Sequence, residues 1–163
     1  MEIFFDGKLE YEGEYLYDKK WNGTGYDENG NIVYELKKST GKIKEYNYYN
    51  GDLIFEGEYL NGKRNGKGKE YYDGKLIFEG EYLNGKRWNG KVKEYYDNKL
   101  IFEGEYLKGE INGKGKEYKN GKLIFEGEYL YGKRNGKGKE YENGKLIFEG
   151  EFLNVKSNGK GRV

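Results

Sequence analysis

Aromatic and polar residues alternate along two kinds of segment in this chain. Leu76–Leu83 reads Leu-Ile-Phe-Glu-Gly-Glu-Tyr-Leu, and Gly66–Tyr72 reads Gly-Lys-Gly-Lys-Glu-Tyr-Tyr. A period of two, bounded by Asn-Gly and Asp-Gly turn signals, predicts strands joined as hairpins. Helix is disfavoured, because each of these glycines would cost about 1 kcal/mol in a helix interior. The block Phe-Glu-Gly-Glu-Tyr stands at Phe55–Tyr59, Phe78–Tyr82, Phe102–Tyr106 and Phe125–Tyr129, with variants at Tyr11–Tyr15 and Phe148–Phe152. Its central glycines, Gly57, Gly80, Gly104, Gly127 and Gly150, lie 23, 24, 23 and 23 residues apart. Such a period means stacked units, each too small to bury a core alone.

The expected fold is all-β: an elongated, single-layer, twisted antiparallel sheet of tandem β-hairpin repeats, with about 15 strands. The repeats make one domain over residues 1–163, in seven units of about 23 residues. The second unit, about 30–51, is degenerate, and both ends fall within a repeat: Phe4-Phe5-Asp6-Gly7 matches Tyr71-Tyr72-Asp73-Gly74, and Asn158–Val163 breaks off inside another. At 4.7–4.9 Å per strand the sheet would run roughly 70 Å before twist. Neither end shows a polar cap, so edge-strand self-association is expected to be open to it.

Charge fixes the predicted register. With Asn61–Arg64 as a four-residue loop, Tyr59 faces Gly66, Glu58 faces Lys67, Gly57 faces Gly68 and Glu56 faces Lys69. With Asp73-Gly74-Lys75 as a three-residue hairpin, Lys69 faces Glu79 and Lys67 faces Glu81. Each lysine strand then lies between two glutamate strands, at roughly 0.2–1 kcal/mol per facing pair, less where fully exposed. The other face carries Phe78, Gly80 and Tyr82 beside Gly66 and Gly68, so rings lie flat over glycine backbone. In the degenerate unit Leu36 and Ile43 replace two of the glycines and are predicted to face each other, which also sets Lys37 against Lys42.

The unit Phe-Glu-Gly-Glu-Tyr-x-x-Gly-Lys-x-Asn-Gly-x-Gly, as at Phe55–Gly68 and Phe125–Gly138, resembles the MORN repeat. The connecting piece Glu70–Ile77 is similar to the variant found in bacterial YwqK-type antitoxin proteins. The resemblance covers essentially the whole chain. It implies a non-enzymatic scaffold that binds proteins, in some cases phospholipids, and for the variant an antitoxin or immunity role. The chain departs from the family in having Tyr or Phe where Trp is frequent, asparagine for histidine before the second strand, and no appended catalytic domain.

Three groups of residues are candidate contact points. The aromatic stripe of Phe55, Tyr59, Phe78, Tyr82, Phe102, Tyr106, Phe125, Tyr129 and Phe148 could stack on sugar rings, bases or peptide side chains. The plainer reading, that these rings hold a one-layer sheet together, is preferred because each has a glycine partner. Trp21 and Trp88 stand in equivalent hairpin loops and break the repeat rather than serve it, which suits contact with a partner. The basic loops Lys63-Arg64, Lys86-Arg87 and Lys133-Arg134 could attract anionic headgroups, or simply keep the turns soluble.

Composition narrows the chemistry. Of 163 residues 34% are hydrophobic and 36% charged, which would favour disorder were it not for 19 Tyr, 8 Phe and 2 Trp. The net charge of +1 is interleaved, with no basic stripe, which argues against nucleic acid. Histidine and cysteine are absent, the hydroxyl nucleophiles Thr24, Ser39, Thr40 and Ser157 fall in turns, and each glutamate pair faces lysines. No catalytic, metal or cofactor site is therefore expected. No apolar run is long enough for a leader or a membrane span, so a cytoplasmic location is expected unless a leader has been removed. The expected function is a protein-binding scaffold. Carbohydrate binding by the tyrosine face and anionic phospholipid binding by the basic loops are the alternatives.

Overall fold

A computed structural model describes residues 2–3 and 7–156, excepting the side chains of residues 2, 3, 155 and 156. The proposed repeat match at Phe4–Asp6, the segment Asn158–Val163 and Ser157 lie outside the described residues. The described chain is all-β and forms two compact units, Met1–Arg87 and Trp88–Val163.

The first unit contains β1 (Glu2–Ile3), β2 (Leu9–Leu16), β3 (Lys19–Tyr26) and β4 (Ile32–Leu36), paired antiparallel in that order. It continues with β5 (Gly41–Tyr46), β6 (Leu53–Leu60), β7 (Lys63–Tyr72) and β8 (Lys75–Leu83), again antiparallel and in chain order. The second holds β9 (Lys86–Tyr96, its first two residues in the first unit), β10 (Lys99–Leu107), β11 (Glu110–Lys119), β12 (Lys122–Leu130), β13 (Lys133–Glu142) and β14 (Lys145–Lys156). Successive strands pair as hairpins through all six.

The charge register holds across most of the sheet. Glu56 faces Lys69, Lys69 faces Glu79 and Lys67 faces Glu81. Glu103 lies between Lys93 and Lys116, and Lys139 between Glu126 and Glu149. The turns are tighter than the spacing suggested. Asn61-Gly62 is a two-residue turn with both φ positive (52° and 71°), and Asp73-Gly74 is another (50° and 69°). Positive φ at both positions is the type I′ geometry that matches the twist of hairpin strands.

Tighter turns require extra residues farther along. After Gly57–Gly68 the next pair is Tyr59–Arg64, so Glu58 stands against three residues, Asn65, Gly66 and Lys67. The expected pairs Tyr59–Gly66 and Glu58–Lys67 are replaced by this bulge. Gly66 takes φ +96°, and the Glu58 carboxylate accepts the Lys67 backbone N–H at 3.2 Å. The device recurs with Glu105 and Gly113, and with Glu128 and Gly136. Gly136→Ala is expected to cost about 1–2 kcal/mol, since φ +98° is left-handed and a Cβ would press on Glu128. Urea unfolding checks this.

The degenerate unit departs from expectation. Leu36 faces Gly23 across β3–β4, and beyond it a single bridge, Lys37–Thr40, closes the Lys38-Ser39 turn. Leu36 and Ile43 are both buried but are not ladder partners, and the Lys37–Lys42 like-charge pair does not form. Aliphatic side chains pack here in place of a ring-on-glycine ladder, and the sheet of β1–β4 ends at that point.

The core is the ring face itself. Phe55 is fully buried, and a Cβ at Gly68 would stand 2.7 Å from its ring. Phe102 covers Gly104 and Gly115, Phe125 covers Gly127 and Gly138, and Tyr11 covers Gly13 and Gly23. Neighbouring rings meet edge to face, as for Phe125–Tyr129 at 5.7 Å and Phe125–Phe152 at 5.0 Å, the arrangement aromatic quadrupoles prefer.

Candidate functional site

Two-residue turns move the basic residues out of the loops. Arg64, Arg87 and Arg134 lie inside β7, β9 and β13. Arg64 pairs with Tyr59 and Arg134 with Tyr129, so both guanidinium groups lie on the ring face. They stack over Phe55 at 4.2 Å and Phe125 at 4.1 Å, while Arg87 lies 5.2 Å over Phe78. Of the three, Arg134 is buried and Arg64 and Arg87 are half-buried. Of the basic pairs named from sequence, Lys63 and Lys86 are exposed and Lys133 is half-buried.

Each arginine is held by glutamates that the sequence reading left unassigned. Glu70 directly faces Phe55 and Phe78, which puts it on the ring face rather than in the charged rows. Glu45 and Glu117 have the same relation to Phe55 and Phe125. Arg64 grips Glu45 with two bonds of 3.1 and 2.8 Å and lies 3.7 Å from Glu70, which also accepts from Arg87 at 2.9 Å. In the second unit Arg134 grips Glu117 at 2.8 and 2.6 Å and reaches Glu140 at 2.6 Å. Tyrosine hydroxyls complete each carboxylate: Tyr59 donates to Glu45, Tyr82 to Glu70 and Tyr129 to Glu117. Arg134 and Glu117 are 5% and 6% exposed, so this is a buried ion pair with its bonding filled. The recurrence of arginine at residues 64, 87 and 134 among so many lysines was the available signal.

These contacts shift titrations. Burial, then the Glu45 carboxylate, pushes the Tyr59 phenol above the ordinary tyrosine range. Tyr82 rises through burial and Glu70, and Tyr129 through burial and Glu117. Tyr71 and Tyr118, donating to Glu56 and Glu103, are each pushed up to about 12, by burial first. Burial would raise Glu70, but Arg87, Tyr82 and Arg64 outweigh it and hold its carboxyl below the usual range. Phenols raised in the folded state add stability that is complete below the free value of 10.0 and lost as pH climbs through the folded values. Glu70 adds stability that is present above its free value of 4.5 and lost as pH falls through the folded value. Denaturation midpoints should therefore be flat near neutrality and fall at both extremes, with Tyr129→Phe weakening the alkaline fall.

The aromatic stripe is largely consumed by packing. Phe55, Phe78, Phe102, Phe125, Tyr82 and Tyr129 are 0–6% exposed, whereas Tyr59 and Tyr106 are half-buried. Trp21 and Trp88 lie in β3 and β9, not in loops, and both are half-buried. Their carbonyls accept N–H bonds from Ser39 and Gly109 in the next turn, and the adjacent Asn22 and Asn89 side chains accept from Lys38 and Lys108. Both tryptophans thus belong to the stitch between repeats.

The opposite face is open. In the second unit a trough of ≈ 890 Å³ runs across the strands, with Gly104, Gly115, Gly127, Gly138 and Gly150 as its backbone floor. Its sides alternate in sign from strand to strand, as in Lys93, Glu103, Lys116, Glu126, Lys139 and Glu149. The first unit has a counterpart of ≈ 540 Å³ over Gly57, Gly68 and Gly80. Direct ion pairs here are long and exposed, 3.6 Å for Lys69–Glu79 and 3.4 Å for Lys139–Glu149. Among the described residues no group of acidic side chains is arranged to hold a metal ion.

No curated protein matches the chain. The family model of the MORN repeat matches residues 55–75, 102–122 and 125–145, the hairpins β6–β7, β10–β11 and β12–β13 with the turns that follow them. The chain carries MORN repeats at these three places, and proteins built of such repeats are generally non-catalytic scaffolds that often bind proteins or membranes.

Proposed function

We propose that this chain is a non-catalytic scaffold that binds a protein partner, with an antitoxin or immunity role as one form of that function, and that it works in the cytoplasm. The observation that carries the reading is the division of labour between faces. Rings and arginines are spent on the core, while the trough of the second unit presents signed rows over a bare backbone floor. Rows that change sign every strand, about 4.8 Å apart, suit a polypeptide surface of alternating charge. A headgroup layer of one sign would meet as many glutamates as lysines. A sugar bound by the aromatic stripe would need open ring faces there, and Phe55, Phe78, Tyr82, Phe102, Phe125 and Tyr129 are covered. Trp21, Trp88, Tyr59 and Tyr106 are proposed as auxiliary contacts, being partly exposed.

The test is capture by the immobilised full chain at physiological salt, beside Lys116→Glu/Lys139→Glu, with anionic vesicles and glycans assayed in parallel. A protein retained stoichiometrically by the wild type and lost by the charge-reversed variant is expected. Salt-sensitive vesicle binding, or glycan quenching of tyrosine fluorescence, with no protein retained would contradict the proposal. For the antitoxin form, co-expression should relieve the toxicity of a neighbouring gene product, and Lys116→Glu/Lys139→Glu should abolish the relief.

A further inference from the structure

We propose that the ring face of the second unit holds a docking slot for an arginine side chain of a protein partner, built from Glu94, the Phe102 ring and the space beside Ile111. The template is internal to the chain. Wherever Tyr pairs across the turn with Arg, the guanidinium lies on a Phe ring and grips a glutamate of the strand on the far side of that Phe. Lys20, paired with Tyr15, likewise lies over the Tyr11 ring, but the carboxylate it meets at 3.2 Å, Glu10, belongs to the same strand as Tyr11. In the β10–β11 hairpin the partner of Tyr106 is Ile111, so the cation is missing by sequence.

The remaining parts of the pattern are in place. Glu94 directly faces Phe102, as Glu117 faces Phe125. Glu117 is buried under Arg134, whereas Glu94 is exposed and enters no ion pair or hydrogen bond among the described residues. Phe102 is 6% exposed, against 0% for the arginine-covered Phe55 and Phe125. A groove of ≈ 1140 Å³ opens there, lined by Glu94, Phe102 and Ile111 and continuing past Ile101 to Tyr129 and Arg134. Its lining includes four glutamates (94, 117, 140 and 142) against Lys119, Lys122 and Arg134. Since Arg134 engages Glu117 and Glu140, Glu94 and Glu142 are the carboxylates left in the lining, and of these two Glu94 is the one that directly faces the Phe102 ring. A planar guanidinium can use the carboxylate and the ring face together, which an ammonium does less well.

The occupant is a protein side chain, so the proposal rests on the protein-binding reading, but its test does not require the partner. N-acetyl-arginine amide, with N-acetyl-lysine amide as control, is titrated into the full chain while the Glu94 carboxyl and Ile111 methyl signals are followed by NMR. Expected are saturable shifts at both residues with the arginine probe, weakened at least about tenfold by Glu94→Gln and abolished by Ile111→Arg. Ile111→Arg should also raise the thermal midpoint by completing the pattern. The proposal is overturned by unsaturable shifts, by equal responses to lysine, or by an Ile111→Arg midpoint that is unchanged or lower. It is also overturned by concentration-dependent dimerisation that Glu94→Gln abolishes, which would make a second copy the occupant. Any of these leaves the trough and its charge-reversal test untouched.

Discussion

Replacing Arg134 with alanine is expected to cost about 3–5 kcal/mol of folding stability, the usual consequence of leaving a buried charge without its partner. The guanidinium bonds two glutamates and lies on the Phe125 ring, and the Glu117 left behind is 6% exposed. Much of the loss comes from that stranded carboxylate rather than from the pair's own worth. Arg134→Met with Glu117→Leu removes both charges while keeping apolar volume, so it should come much closer to wild type than Arg134→Ala does. Urea unfolding in a Trp21→Phe background, where Trp88 reports on the second unit, would measure both. If the double variant falls as far as the single one, the pair contributes net stability of its own.

Phe125→Ala is expected to be as severe, about 3–5 kcal/mol. The fully buried ring covers the backbone of Gly127 and Gly138 and meets Tyr129 and Phe152 edge to face. A single-layer sheet has no second layer to collapse into the gap. The coupling with Gly138 is the sharper test. In the wild type a Cβ at Gly138 would stand 2.8 Å from Phe125 and 3.0 Å from Phe152, so Gly138→Ala should cost about 1–3 kcal/mol by overpacking. Without the Phe125 ring most of that obstruction is gone. The double variant should then be clearly less destabilised than the sum of the singles. Strict additivity would mean that the ring does not lie on the glycine.

The ladder was legible because its causes are local. Glycine spacing, Asn-Gly turns and facing charges set the order of strands and the pairs Lys69–Glu79 and Lys67–Glu81. The turn lengths were not, because a two-residue turn followed by a bulge occupies as many residues as a four-residue loop. That difference governs which face a side chain joins. It carried Arg64 and Arg134 from supposed anion-contacting loops onto buried rings, and Trp21 and Trp88 into strands. Glu45, Glu70 and Glu117 escaped notice because each follows lysines in the sequence and reads as one more surface charge. Only their direct pairing with a Phe places them on the other side. Leu36 and Ile43 read as a facing pair, but the pairing stops one bridge after Leu36.

Ring currents at the glycine α-protons give the most direct check on the central claim that aromatic side chains are laid on glycine backbone to form the core. Assigned proton spectra should show one α-proton of Gly68, Gly127 and Gly138 displaced far upfield, with nuclear Overhauser contacts to Phe55 or Phe125, and the displacement at Gly138 should vanish in Phe125→Ala. Unshifted glycine α-protons in a folded sample, with those phenylalanine rings open to a soluble paramagnetic probe, would contradict the account.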